Sequence, residues 1–149
     1  SAENSLTVEA KYKDYDEGMA AAKAAGKPVI LDFTGFGCVN CRKMEAAVWT
    51  DAKVADILNN EYVLVSLYVD DKTPLSAPVV VTENGKERTL HTVGDKWSYL
   101  QRSQYGANTQ PFYVLVDNDG KQLTEVRSYD EDIDAYIEFL QKGLAEYKK

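Results

Sequence analysis

The chain has two cysteines, Cys38 and Cys41, and their spacing of two intervening residues is typical of thiol chemistry. They follow a short apolar run, 28–33, and open a helical pattern that continues through Met44. A thiolate at the first turn of a helix is stabilised by free backbone N–H groups and by the helix dipole. Cys38 is therefore expected to attack a disulfide, and Cys41 to resolve the mixed disulfide that forms.

Two other uses of a cysteine pair fit the sequence less well. A disulfide that closes so short a loop removes little chain entropy, so it would be a poor stabiliser. A zinc site needs about four ligands, whereas the chain offers two Cys and the single His91, expected at the surface near a hairpin. We therefore expect no metal and no cofactor other than a redox-active Cys38–Cys41 disulfide.

The elements around the cysteines predict an α/β fold, with a central mixed sheet and helices on both faces. Two apolar, β-branched runs predict central strands buried on both faces. Strands are expected at 28–33, 62–70, 112–116 and 121–129. Helices are expected at about 14–25, 38–48, 52–59 and 95–105, and from the acidic run 130–132 onward.

Residues 79–90 carry a strong hairpin signal, because Asn84-Gly85 separates two strand-like runs. A loop is expected before it, at 72–78. An isolated hairpin is marginal in water, so this one should pack on the domain through Leu90 and either Val79 or Val81. We expect it beside the active site, as one wall of a docking surface.

Composition indicates one globular domain spanning 1–149, with residues 1–12 as an extended N-terminal segment. The formal charge is −7, and the basic residues are scattered rather than gathered in a stripe. A nucleic-acid or membrane-surface binder would need such a stripe, so neither partner is expected. No apolar run reaches the ~20 residues of a transmembrane helix. The protein is expected to be a monomer.

The run Val29-Ile-Leu-Asp-Phe33, a short loop and Cys38-Val-Asn-Cys41 together resemble the active-site strand, loop and helix of the thioredoxin superfamily. Pro111 before a strand, with Gly120 in the next turn, resembles the cis-proline region of that superfamily. The segment 37–45 most resembles the C-terminal periplasmic domain of DsbD-type thiol:disulfide interchange proteins. The resemblance implies a thioredoxin-like fold in which the hairpin is an insertion.

The resemblance also implies roles for residues around the dithiol. Asp32 would be a buried acid that takes part in proton transfer at Cys41, and Glu45 would be a second active-site acid. The backbone of Gln110 would pair with a bound partner chain. The expected substrate-binding residues are Phe36, Gly37, Val39, Asn40, Gln110 and Pro111.

Two positions depart from thioredoxin. Gly37 stands where thioredoxin has a tryptophan before its first cysteine, and Ser66 stands where it has a lysine near the buried acid. The groove and the proton balance should therefore differ, so the identity of the partner does not carry over.

A DsbD-type domain implies an electron relay in the periplasm or another extracytoplasmic space, from a membrane donor to protein thiol partners. Positive charge near the first sulfur would favour its thiolate and make the pair oxidising. The dipeptide Val39-Asn40 has no cation, Arg42 and Lys43 are expected to point along the helix surface, and two acids are near. We therefore expect a reductase. The alternatives are an oxidase or isomerase on this fold, or a non-catalytic binding module.

Overall fold

The computed structural model describes residues 7–149 of the chain. Its elements, in chain order, are α1 (Tyr15–Ala25), β1 (Val29–Thr34), α2 (Val39–Ala47), α3 (Ala52–Asn60), β2 (Val63–Tyr68), β3 (Pro74–Glu83), β4 (Lys86–Thr92), α4 (Val93–Tyr105), β5 (Phe112–Val116) and α5 (Ile133–Tyr147). The expected order of helices and strands is confirmed, apart from the segment 121–129. Of the expected extended segment 1–12, residues 1–6 lie outside the described range.

The central sheet has the strand order β2-β1-β5 and is mixed, as predicted. β1 runs parallel to β2, with Asp32 opposite Ser66, and antiparallel to β5, with Phe33 opposite Phe112. The end of β1, the end of β2 and the start of β5 therefore lie at one edge of the sheet. This edge, from which the chain continues to Cys38, is called the dithiol edge below.

Each face of the sheet carries its own apolar core, because side chains alternate along a strand. Val29, Leu31 and Phe33 of β1 pack in a cluster that includes Ala22 of α1 and Trp97 of α4. The intervening Ile30 packs in the other cluster, whose helical members come from α2, α3 and α5. Asp32, two residues after Ile30, therefore faces α2, the helix that carries Cys41.

The predicted strand at 121–129 is wrong. Only two isolated bridges join this segment to β5, between Val116 and Gln122 and between Tyr113 and Arg127. The two bridges are three residues apart on β5 but five residues apart on the segment 121–129. Two residues of that segment therefore lie outside the pairing. Such an excess interrupts a regular ladder.

The hairpin forms as predicted, but its first strand begins earlier, at Pro74, within the segment expected to be a loop. Pro74 pairs with Thr92, and the register then shifts before Val79 pairs with Leu90. Leu90 is buried, as expected, whereas Val79 is exposed. Glu83 also anchors the hairpin to α4, because its carboxylate accepts from Nε and Nη2 of Arg102 at 2.7 and 3.0 Å.

Helix α4 begins two residues before its predicted start. The Thr92 hydroxyl accepts from the Asp95 N–H while the Asp95 carboxylate accepts from the Thr92 N–H, forming a capping box. Such reciprocal bonds satisfy backbone donors that a helix start leaves free. They fix the start of α4 against the chain that leaves β2, where the Gly94 N–H donates to the Asp71 carbonyl at 2.8 Å.

Gly94→Ala is expected to destabilise the protein by about 1–3 kcal/mol, although alanine is the better helix former by about 1 kcal/mol. A Cβ at this position would lie 2.5 Å from the Val69 carbonyl oxygen and 2.7 Å from the backbone of Asp71. Backbone cannot yield as a flexible side chain can, so overpacking outweighs propensity. Urea unfolding measures the change, with the exposed Ser103→Ala of the same helix as control. Equal or greater stability of Gly94→Ala would contradict the prediction.

Candidate active site

Cys38 and Cys41 are joined as a disulfide at the start of α2. Cys38 is the N-cap residue, and its Sγ accepts from the Cys41 backbone N–H at 3.2 Å. Cys38 is partly exposed, whereas Cys41 is only 1% exposed. The more exposed of the two cysteines therefore also lies where the free N–H groups and the dipole of the helix act, as an attacking thiol requires.

The loop before Cys38 is held by a carboxylate from the end of β2. Asp70 accepts from the backbone N–H of Phe36 at 2.8 Å and of Gly37 at 3.0 Å. Burial alone would raise the pKa of Asp70, but the donors of Gly37 and Phe36 outweigh it and hold that pKa below its usual value. A Cβ on Gly35 would lie 3.2 Å from the same carboxylate, so the loop packs closely on it.

Two large hydrophobic residues near Cys38 in the chain are exposed. Phe36 is 56% exposed and Val39 is 66% exposed, although both are large hydrophobic residues. The Phe36 ring stacks on Tyr68 with the ring centres 4.0 Å apart, which fixes its orientation. Gly37 and Asn40 are exposed beside them. The predicted substrate-binding residues of the CxxC segment are thus all exposed, on both sides of Cys38 in the chain.

Asp32 is a buried acid within β1, with 2% of its surface exposed. Its Oδ2 accepts from the Ser66 hydroxyl at 2.9 Å, so Ser66 contacts the acid directly. Burial raises the pKa of Asp32 to about 7, the Ser66 bond opposes this, Glu45 raises it further, and Arg42 lowers it. A carboxyl group with such a pKa can exchange a proton near neutral pH.

Glu45 lies on α2 and is paired with Arg42, whose Nη2 lies 2.9 Å from its Oε2. This pair lies along the helix surface, as expected for Arg42, but the guanidinium also reaches beyond α2. The same Nη2 donates to Thr34 Oγ1 at 3.1 Å, and Nη1 donates to the Phe36 carbonyl at 3.4 Å. The guanidinium folds back because these acceptors converge at the dithiol edge, whereas Lys43 is exposed.

Gln110 and Pro111 lie at the same edge, because Phe112 begins β5 opposite Phe33. The peptide bond between Gln110 and Pro111 is cis. The side chain of Gln110 donates to Oε1 of Gln101 at 2.9 Å, so this side chain is turned toward α4. The sheet topology thus brings the two predicted binding segments, residues 36–40 and 110–111, to one edge.

Two residues of the site, Asp70 and Gln101, were missed from the sequence, and the contacts of Arg42 were not predicted. Asp70 carried a signal, since it ends the predicted strand 62–70 and the sheet topology places that end beside the CxxC loop. The pairing of Arg42 with Glu45 could also have been predicted, because the two residues are three positions apart, a spacing at which helical side chains meet. Gln101 carried no signal, because nothing in the local pattern marks a polar residue inside a helix as buried.

Within residues 7–149, no three His, Cys, Asp or Glu side chains are grouped closely enough to hold a metal ion. His91 is exposed on β4. In the same range, none of the helices combines the length and the apolar character needed to cross a membrane.

Part of the chain is similar to a thiol:disulfide interchange protein. It is 49% identical over 41 residues to the protein DsbD of Ralstonia nicotianae. Those residues make up 28% of this chain but only 7% of DsbD. The likeness therefore concerns a small part of a much longer protein.

Solved structures share the fold over most of the chain. The DsbH oxidoreductase superposes with a TM-score of 0.63 at 19% identity, covering 94% of this chain and 88% of its own. A thioredoxin from Thermus thermophilus superposes with a TM-score of 0.60 at 19% identity, covering 88% and 84%. At this identity the structures establish the fold.

The family comparison covers nearly the whole described range. The thioredoxin-like domain family matches residues 15–143, which include both cysteines, all five strands, helices α1 to α4 and most of α5. With the disulfide-bonded CxxC at a helix start, this match supports a thiol–disulfide oxidoreductase. The chain belongs to the thioredoxin-like domain family.

Proposed function

We propose that the protein reduces disulfides of partner proteins, or relays electrons to them, through Cys38 and Cys41. In the reduced protein the Cys38 thiolate attacks a partner disulfide, forms a mixed disulfide and releases one partner thiol. Cys41 then attacks the Cys38 sulfur, closes the Cys38–Cys41 disulfide and releases the second thiol. Two electrons pass to the partner, and a thiol donor must return two electrons before the next cycle.

One observation carries this proposal: the partly exposed Cys38 caps the N-terminus of α2, and its disulfide partner Cys41 is buried in the first turn. This arrangement gives the two thiols different tasks, since only the exposed one can meet a partner. The buried Asp32, with its pKa near 7, supports a role as the group that takes the proton from Cys41 during resolution.

The charges around the dithiol support a reducing direction. Arg42 is the cation near Cys38, but it is paired with Glu45 and so contributes little net positive charge. Asp70 adds a further negative charge below the loop, and its lowered pKa keeps it ionised. Negative surroundings disfavour a thiolate, so the dithiol form gives up its electrons more readily.

The proposed partners are proteins with an accessible disulfide, and the proposed electron donor is a membrane-bound dithiol. The partial match to a thiol:disulfide interchange protein supports the protein partners. The membrane donor and a periplasmic or extracytoplasmic location are proposed from the resemblance of residues 37–45 to DsbD-type domains. The exposed apolar side chains of Phe36 and Val39 suit contact with a protein chain rather than with a small charged thiol.

Redox equilibrium with glutathione tests the direction. In the double variant Asp32→Asn with Glu45→Gln, Cys38 is expected to ionise at lower pH, and the equilibrium constant should move roughly tenfold toward the reduced dithiol. Loss of Glu45 also releases Arg42 from its ion pair, which acts in the same direction. Thiolate absorbance gives the ionisation, and thiol quantification gives the equilibrium.

The control removes the same two charges at exposed positions away from the dithiol edge, as Asp119→Asn with Glu125→Gln. It should leave the equilibrium unchanged within about twofold. If the site variant also stays unchanged, the two acids do not set the potential and the argument for reduction fails. A wild-type pair more oxidising than glutathione would indicate an oxidase or isomerase instead.

A further inference from the structure

Gln101 is a buried polar residue that the dithiol chemistry does not use. It belongs to α4, and none of its surface is exposed to solvent. Nε2 donates to the Thr109 carbonyl at 2.9 Å, and Oε1 accepts from Nε2 of Gln110 at 2.9 Å. Burying an amide is costly unless its groups are bonded, and here both partners belong to one short segment, residues 109–110.

That segment lies at the dithiol edge. It leads into Phe112, which pairs with Phe33 at the end of β1. The ring of Tyr105, at the end of α4, packs on Phe33 and Phe112 with ring centres 6.0 and 6.4 Å apart. Gln101 therefore joins helix α4 to the segment that leads into the dithiol edge.

The backbone of Gln110 is available for a further partner. Within residues 7–149, neither its N–H nor its carbonyl is hydrogen-bonded to another group. Its side chain, by contrast, is engaged with Gln101. An extended chain that approached Cys38 could therefore pair with the Gln110 backbone, in the manner of a strand added to an open edge.

We propose that Gln101 is a positioning residue, which holds Thr109 and Gln110 so that the Gln110 backbone can pair with a disulfide-bearing partner chain. This inference rests on the proposed function and adds a residue that selects protein disulfides over small ones. A small disulfide needs only the exposed sulfur of Cys38. A protein disulfide also needs its flanking backbone aligned, and loss of alignment slows a reaction strongly.

The test uses the reduced full chain and two oxidants, insulin and bis(2-hydroxyethyl) disulfide. For each, the second-order rate constant of oxidation of the protein dithiol is measured. In Gln101→Met, a substitution of similar volume without hydrogen-bonding groups, the ratio of the insulin to the small-disulfide rate constant should fall roughly tenfold. The matched control, Gln104→Met, changes an exposed residue of the same helix and should keep the wild-type ratio.

Gln110→Ala removes the same bond from its other end and should also lower the ratio. Because the two side chains act through one contact, the double variant Gln101→Met with Gln110→Ala should lose no more than the larger single loss. Additive losses would show that the Gln110 side chain touches the partner independently and would overturn the proposal. If Gln101→Met does not fold, the Gln110→Ala ratio decides, and a wild-type ratio overturns it.

The outcomes separate this inference from the proposed function. A wild-type ratio in Gln101→Met, while wild-type protein reduces both oxidants, overturns the role of Gln101 alone. A loss that is equal for both oxidants shows damage to the dithiol rather than to docking, and overturns it too. A wild-type protein that reduces neither oxidant overturns the proposed function, and the role of Gln101 with it.

Discussion

Cys41→Ala is expected to stop turnover and to accumulate a stable mixed disulfide between Cys38 and the partner. The outward Cys38 can still attack, but the buried sulfur that releases the product is gone. Turnover with insulin should fall on the order of a thousandfold, as when a reacting group is removed. Non-reducing gels show the covalent adduct, and mass spectrometry identifies the cysteine that carries it.

The same substitution at the other cysteine provides the control. Cys38→Ala should be equally inactive but should form no adduct, because the remaining thiol of Cys41 is shielded. The reduced wild-type protein should likewise be alkylated first at Cys38. Adducts on Cys38→Ala but not on Cys41→Ala would reverse the assigned roles, and adducts on both would mean that neither sulfur is protected.

The dithiol could be located from the sequence because its signal is local. A CxxC that follows a buried strand and opens a helix places one sulfur outward and one inward whatever the rest of the chain does. Strands β1, β2 and β5 were predictable for a similar reason, since apolar β-branched runs of this length have few other uses. The hairpin was predictable from its Asn-Gly turn, where Asn84 and Gly85 both adopt positive φ.

The segment 121–129 shows where local patterns stop being sufficient. Its residues suit a strand, but pairing also needs a matching length on β5, and two extra residues break that match. The strand propensity of a single segment cannot reveal such an excess, because the excess depends on the lengths of both paired segments. The start of β3 was missed for the same reason, since Pro74 pairs with Thr92 beyond the recognisable hairpin.

The electrostatic surroundings of the dithiol were less predictable than the dithiol itself. Asp32 and Glu45 could be proposed from resemblance, but the direction of Arg42 depends on acceptors supplied by Thr34 and Phe36. Asp70 reaches the loop from more than thirty positions along the chain. Such contacts follow from sheet topology, so they become visible only when the fold is known.

Asp32→Asn is expected to stabilise the oxidised protein increasingly as pH rises. Asparagine has a similar shape and can keep a hydrogen bond with Ser66, but it carries no charge to bury. Below the ordinary carboxyl value of 3.8, Asp32 holds its proton in both the folded and the unfolded chain. The substitution then removes no buried charge, so the variant and the wild-type protein should have similar free energies of unfolding.

Between 3.8 and the folded-state pKa of about 7, the unfolded chain releases the proton while the folded protein keeps it. The wild-type protein therefore loses stability with rising pH, by about 1.4 kcal/mol per pH unit, and the loss ends once the folded protein also ionises. Over the whole interval Asp32→Asn should gain about 4 kcal/mol relative to wild type.

Urea unfolding of both oxidised proteins at about pH 4 and about pH 8 measures this difference directly, because titration of every other group cancels between them. The exposed Asp119→Asn provides the matched control, and its difference from wild type should change by less than about 0.5 kcal/mol. If the difference in unfolding free energy between Asp32→Asn and wild type is the same at both pH values, Asp32 ionises alike in the folded and unfolded states. The proposed role of Asp32 as proton acceptor for Cys41 would then be unsupported. A difference in stability that starts near pH 4 and keeps widening well above neutral pH would place the folded-state pKa of Asp32 higher still, so Asp32 would remain protonated while Cys41 reacts.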